Sequence, residues 1–200
     1  MTQTAPLSDR TRPRLGVIIA STRPGRLAVP VAEWFTAAAT GHGGFEVDVI
    51  DLAEVGLPFL DEPNHPRLQQ YTHQHTRDWS ARIAAADAFV IVTPEYNFGM
   101  PAVLKNALDF LHHEWAHKPV AFVSYGGVSA GTRAVQMAKQ VVTTLRMHPV
   151  TEAVAIPFVF GLLDDDGRVQ PNDVMEGAVK GVLDELLRVE AALRPLRQAG

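Results

Sequence analysis

The stretch AFVIVTPEYNFGMPAVLKNALDFL, residues 88–111, decides how this chain is read. It opens on an unbroken apolar run, AFVIV (88–92), of the kind that makes a strand buried on both faces. It closes on Leu104, Ala107, Leu108 and Leu111, which recur at helical spacing. Between strand and helix stands TPEYNFGMP (93–101). A plain connector needs only a turn residue and a cap. Two prolines, a glycine, two aromatics, a carboxylate and an amide point instead to a surface for something flat with polar edges.

The same alternation extends in both directions. Upstream, RLGVIIA (14–20) is a second buried strand, and Val31, Trp34, Phe35 and Ala38 mark a helix that GHGG (41–44) breaks. FEVDVIDL (45–52) alternates as a strand does. Leu68, Tyr71, His75, Trp79 and Ile83 predict a weakly amphipathic helix. Downstream, PVAFVSY (119–125) is a buried strand, followed by a helix through Ala134, Met137, Ala138, Val141, Val142 and Leu145. EAVAI (152–156) reads as a short fifth strand, DDDGR (164–168) as a turn, and Met175 to Val189 as a last helix. Five apolar strands alternating with helices predict an α/β fold, a parallel sheet covered on both faces. Right-handed crossovers make it doubly wound. Residues 1–13 are polar and aperiodic and read as an arm; residues 14–195 read as a single domain.

Three loops carry the candidate chemistry. ASTRPGR (20–26) joins the first strand to a helix, whose free N–H groups suit an anion. Arg23 and Arg26 would add charge-assisted bonds to phosphate oxygens; the plainer reading is a serine cap with solvated arginines. The loop has neither the G-x-G-x-x-G of dinucleotide folds nor the G-K-[ST] of a P-loop. In the second loop, Pro94 ends the strand and Pro101 suits a first helical position. There Glu95, Asn97 and backbone groups could meet a polar ring edge, while Tyr96 and Phe98 pack a ring face. In the third, SYGGVSAGTRA (124–134), Tyr125 closes a strand, and Gly126 and Gly127 let a ligand approach the backbone. In the strand order 2-1-3-4-5 these loops are neighbours at the switch point where such sheets bind ligands.

With those motifs in view, the sequence resembles the NAD(P)H-dependent FMN reductases, flavodoxin-like proteins whose relatives reduce quinones, azo dyes and chromate. The resemblance rests on Ser21-Thr22-Arg23-Pro24-Gly25-Arg26, on Pro94 to Asn97 with Pro101 and Leu104 to Asp109, and on Lys118 to Gly127, in the family's order. Ala20 stands where the family often has glycine. The resemblance implies a flavodoxin-like fold with bound FMN and with NADPH or NADH as reductant. It implies that Ser21, Arg23 and Arg26 hold the phosphate. Pro94, Glu95, Tyr96 and Asn97 would then line the isoalloxazine ring, with Phe98 nearby and Tyr125, Gly126 and Gly127 bordering it. It further implies ping-pong transfer to a quinone, azo dye, metal oxyanion or free flavin, and a homodimer or homotetramer. Hydride transfer to a flavin requires no side-chain acid or base, so no catalytic residue is assigned.

Composition narrows the alternatives. With 18 basic against 22 acidic residues, a net charge of −4 argues against a nucleic-acid footprint. The absence of cysteine rules out disulfides, thiolate metal sites and a cysteine nucleophile. No apolar h-region or membrane-length run is visible, so a cytoplasmic protein without a membrane partner is expected. A non-enzymatic flavodoxin carrier is the near rival, disfavoured by the arginines in the first loop and the mild charge. HEWAH (113–117) matches the H-E-x-x-H pattern of zinc hydrolases. That chemistry needs a continuous helix, and Pro119 two residues on argues against one, so no metal is assigned.

Overall fold

The computed structural model describes residues 12–198, so the N-terminal segment read as an arm lies outside the described residues except for Arg12 and Pro13. Five strands, β1 (Arg14–Ile19), β2 (Glu46–Asp51), β3 (Ala88–Pro94), β4 (Pro119–Tyr125) and β5 (His148–Ile156), form one sheet in the order β2-β1-β3-β4-β5. Every pairing is parallel. This is the flavodoxin-like doubly wound order that the sequence predicts. Among the described residues the helices are α1 (Ala28–His42), α2 (Leu52–Val55), α3 (Gln74–Ala85), α4 (Ala102–Asp109), α5 (Thr132–Thr144) and α6 (Asp173–Gln198), with single 3-10 turns between them.

Alternate strand residues feed opposite faces. Leu15, Val17, Ile19, Val90 and Val92 pack toward α1 and α6. Ile18, Phe89, Ile91 and Phe122 pack toward α3, α4 and α5. Burying one such side chain stabilises by roughly 1.5–3 kcal/mol, so two continuous apolar layers hold the central strands and fix the loops at their ends.

The structure departs from the sequence reading in three places. The helix expected from Leu68 starts at Gln74; Leu68 closes a separate 3-10 turn and is 58% exposed. The reason is Glu62, whose carboxylate accepts the N–H groups of Thr72 at 2.8 Å and His73 at 3.0 Å and keeps that segment in a loop. Pro101 is the N-cap of α4 and not its first residue, with an extended ψ of 140°. Strand β5 is nine residues long. Its first half is polar because it is an edge strand, and it bulges: Val120 pairs with Pro149, but Phe122 pairs with Ala153.

HEWAH is broken, as the proline after it leads one to expect. His113 to Trp115 form an isolated 3-10 turn, Ala116 is extended, and His117 has a positive φ of 59°. The histidines therefore do not share a helical face. Glu114 is buried and accepts hydrogen bonds from the Tyr71 hydroxyl at 2.8 Å and the Ser80 hydroxyl at 2.7 Å. The motif is a packing device, with Trp115 wholly buried against Trp79 and Phe89. Among the described residues no group of three or more metal-ligating side chains is placed to hold a metal ion.

Between this motif and β4, Lys118 is buried, and its ammonium nitrogen donates to the carbonyls of Ile83 at 2.8 Å and Ala84 at 3.1 Å. It thereby closes the C-terminus of α3. Burial first, and then the charge of Arg197, bring its pKa down to about 7. Among the described residues no helix is long and apolar enough to cross a membrane.

Candidate active site

Strands β1, β3 and β4 are adjacent, so the three loops at their carboxyl ends meet. Pro94 lies in register with Tyr125, which sets the second loop beside the third. Ser21 is fully buried, and its hydroxyl lies 2.8 Å from that of Tyr96, which ties the first loop to the second. Tyr125 is buried in the layer beneath α1 and α6. Burial and the neighbouring Tyr96 hold its hydroxyl protonated, against the opposing charges of Arg23 and Arg26.

Residues 96–99 form a tight turn. The N–H of Tyr96 donates to the carbonyl of Gly99, and the N–H of Gly99 to that of Tyr96, each at 3.0 Å. Asn97 and Phe98 fill the middle with φ of 50° and 67°. Positive φ at both central residues defines a type I′ turn. Asparagine tolerates that region, but a phenylalanine there is an outlier. Phe98 is also 69% exposed. The turn therefore holds an exposed aromatic ring on a strained backbone.

Two charged residues found by sequence have partners that sequence does not show. Arg26 Nη2 is ion-paired with Asp51, whose other oxygen caps α2 through the Ala53 N–H at 2.9 Å. The Glu95 carboxylate is turned to α5 rather than left open for a ring edge. It accepts the backbone N–H of Arg133 at 3.1 Å and is ion-paired with the Arg133 guanidinium. Burial raises the Glu95 pKa, but the hydrogen bonds and charge of Arg133 outweigh that and leave it lowered. Arg133 and Ser129 thus enter the site unannounced. The signal was present in SAGTR, since a helix that starts on glycine has no side-chain cap of its own.

Gly126 and Gly127 carry a further tie. The N–H groups of Val159 and Phe158 donate to their carbonyls, each at 3.3 Å, so the segment after β5 hangs on the third loop. Gly131 has a φ of 77°, and a side chain there would start 2.9 Å from the Tyr125 carbonyl oxygen. A cleft of about 370 Å³ between α1 and α6, lined by Trp34, Ala38, Val179 and Leu183, takes in no residue of the three loops.

Residues 13–161 match the family described as NADPH-dependent FMN reductase. The chain belongs to that family. It is 42% identical over 159 residues to an NAD(P)H-dependent FMN reductase of Schizosaccharomyces pombe, covering 76% of this chain and 79% of that protein. A 2-hydroxy-1,4-benzoquinone reductase of a Burkholderia species is 30% identical over 128 residues, covering 62% of this chain and 66% of its own length. Among solved structures, the flavoenzyme NAD(P)H:(acceptor) oxidoreductase FerB from Paracoccus denitrificans superposes with a TM-score of 0.72 at 20% identity, over 90% of this chain and 98% of that one. That likeness speaks for the fold. As a member of the FMN reductases the protein is an oxidoreductase with FMN and a nicotinamide as its cofactors. The residues present suit an FMN reductase on one point of chemistry. Arg26 Nε is a buried N–H without a protein partner, at the end of β1 where a phosphate oxygen would satisfy it.

Proposed function

We propose that this FMN reductase holds its cofactor across the ends of β1, β3 and β4 and passes electrons from NADPH or NADH to a quinone. An azo dye, a metal oxyanion or free flavin would serve as other acceptors. The observation that carries the reading is the meeting of the three loops, with the orphaned Arg26 Nε at one end and the exposed, strained Phe98 at the other. The quinone is favoured by the name of the Burkholderia relative.

Bound FMN would supply the redox chemistry, as acceptor of hydride from the nicotinamide and donor of electrons to the acceptor, and a single exposed face would make the turnover ping-pong. The chain's own residues bind and orient. Arg23, exposed at the mouth of α1, and Arg26 hold the phosphate, although Asp51 offsets part of the Arg26 charge. Ser21 fixes the Tyr96 hydroxyl. Pro94, Tyr96, Asn97 and Phe98 receive the ring, and Glu95 contributes backbone to that surface while its side chain is engaged elsewhere. Tyr125 backs the third loop from the core, and Gly126 and Gly127 leave room for a ring edge.

Val128, Phe158 and Phe160 are exposed near the same rim. Apolar rings beside an active site support a homodimer or homotetramer in which a second copy covers them. The mild negative charge favours neither nucleic acid nor an anionic membrane surface as partner, in keeping with a cytoplasmic enzyme.

Anaerobic mixing tests the reading. NADPH or NADH should bleach the bound flavin, and a benzoquinone should restore its colour, with parallel double-reciprocal plots. Bleaching by neither nucleotide would favour an electron carrier; converging plots would overturn ping-pong exchange.

A further inference from the structure

Arg133 does more than the capping of α5 requires. The carboxylate of Glu95, 8% exposed, is enough to cap the helix through the Arg133 backbone N–H. Yet the guanidinium also returns to the same carboxylate, donates from Nη2 to the Ser129 hydroxyl at 2.7 Å, and lies over the Phe98 ring at 3.7 Å from its centroid. One planar cation therefore touches the carboxylate that begins the second loop and the aromatic ring at its tip. Arg133 itself stands on the helix that follows the third loop. Phe98 is held at a φ of 67°, and such a conformation persists only where the surroundings enforce it. A guanidinium stacked on the ring face is a contact of that kind. It is also the charge that prevents Glu95 from standing as a bare anion one residue from Tyr96.

We propose that Arg133 is a positioning residue for the flavin: it neutralises Glu95 at the root of the second loop and props Phe98, so that the Tyr96–Gly99 turn keeps the shape the cofactor meets. The inference rests on the FMN reading above. Its consequences separate into two parts. Loss of the prop loosens the turn and weakens FMN binding. Loss of the neutralising charge leaves an unpaired, mostly buried carboxylate in the loop that receives the flavin, and its field disfavours the electron-rich reduced flavin and lowers its reduction potential.

The test compares the full chain with Arg133→Met, Arg133→Lys, and the double variant Glu95→Gln/Arg133→Met. Three quantities are read: the melting temperature of the flavin-free protein, the FMN dissociation constant by fluorescence quenching, and the midpoint potential of the bound flavin. Arg133→Met should weaken FMN binding roughly tenfold, the size of a lost cation–π contact with its ion pair, and lower the potential. The double variant should recover the potential but not the affinity. Arg133→Lys, which keeps the charge and loses the flat fork, should hold the potential and bind FMN more weakly. It also serves as the informative variant if Arg133→Met fails to fold. Affinity and melting temperature falling together with the potential unmoved would reduce the pair to a helix cap and overturn the proposal. A wild type that binds FMN with Arg133→Met binding equally well overturns this inference alone; a wild type that binds no FMN overturns the FMN reading, and this inference with it.

Discussion

The hydroxyls of Ser21 and Tyr96 meet at 2.8 Å, joining the ends of β1 and β3 across 75 residues of sequence. Ser21 is fully buried, so removing its partner strands a polar atom. Tyr96→Phe should destabilise the flavin-free protein by about 1–3 kcal/mol. Ser21→Ala should do less harm, because the half-exposed tyrosine can turn to water. The two losses should fall short of additivity in thermal melts of the four proteins. Strict additivity would mean that the hydroxyls do not interact.

Arg23→Ala should weaken FMN binding and leave riboflavin binding nearly unchanged, since only the phosphate distinguishes the ligands. A hydrogen bond to a charged group contributes roughly 1.5–3 kcal/mol, which makes the loss about 10- to 150-fold for FMN. Backbone N–H groups and Arg26 remain, so binding should survive. Equal losses for both flavins, by titration, would assign Arg23 to the loop's structure instead of the phosphate.

Gly131→Ala should lower the stability by at least about 1–2 kcal/mol, from the left-handed backbone alone. The contact of 2.9 Å with the Tyr125 carbonyl adds to that. A fall of several degrees in melting temperature is expected for a chain of this size, at roughly 2–4 °C per kcal/mol. An unchanged melting temperature would show that the third loop relaxes freely.

Much of this was legible from the amino acids, and for definable reasons. β1, β3 and β4 are buried on both faces, so their runs are continuously apolar and their ends are plain. Helix α5 carries a clean stripe of Ala134, Ala138 and Val142. β5 was half hidden because an edge strand may carry His148, Pro149 and Thr151 toward solvent, and a bulge breaks its period. The start of α3 was hidden because Glu62 outcompetes helix formation ten residues away. In the site, the loops that meet follow from strand order, but the partners of their charges do not. Arg26 finds Asp51 and Glu95 finds Arg133 through the fold alone, 25 and 38 residues apart.

Lys118 makes stability depend on alkaline pH. Its folded pKa, about 7, lies below the ordinary lysine value near 10.4. Between those values the unfolded chain binds more protons than the folded one, so stability rises with pH through that window. The neutral amine still has two N–H groups for the carbonyls of Ile83 and Ala84. Melting temperatures measured from pH 6 to pH 9 should show the wild type gaining on Lys118→Met above pH 7, with a constant difference below it. A difference that shrinks as pH rises would sink this account.

The paired bonds from Val159 to Gly126 and from Phe158 to Gly127 have a consequence for binding entropy. A loop of glycines left to itself would sample many shapes and would have to be frozen whenever a ligand arrived. Here the backbone of a later segment has already frozen it during folding. Association then loses little chain freedom, and more of each contact appears as affinity. The segment after the last strand, which offers no charge of its own, thereby lowers the ordering cost of whatever the third loop receives.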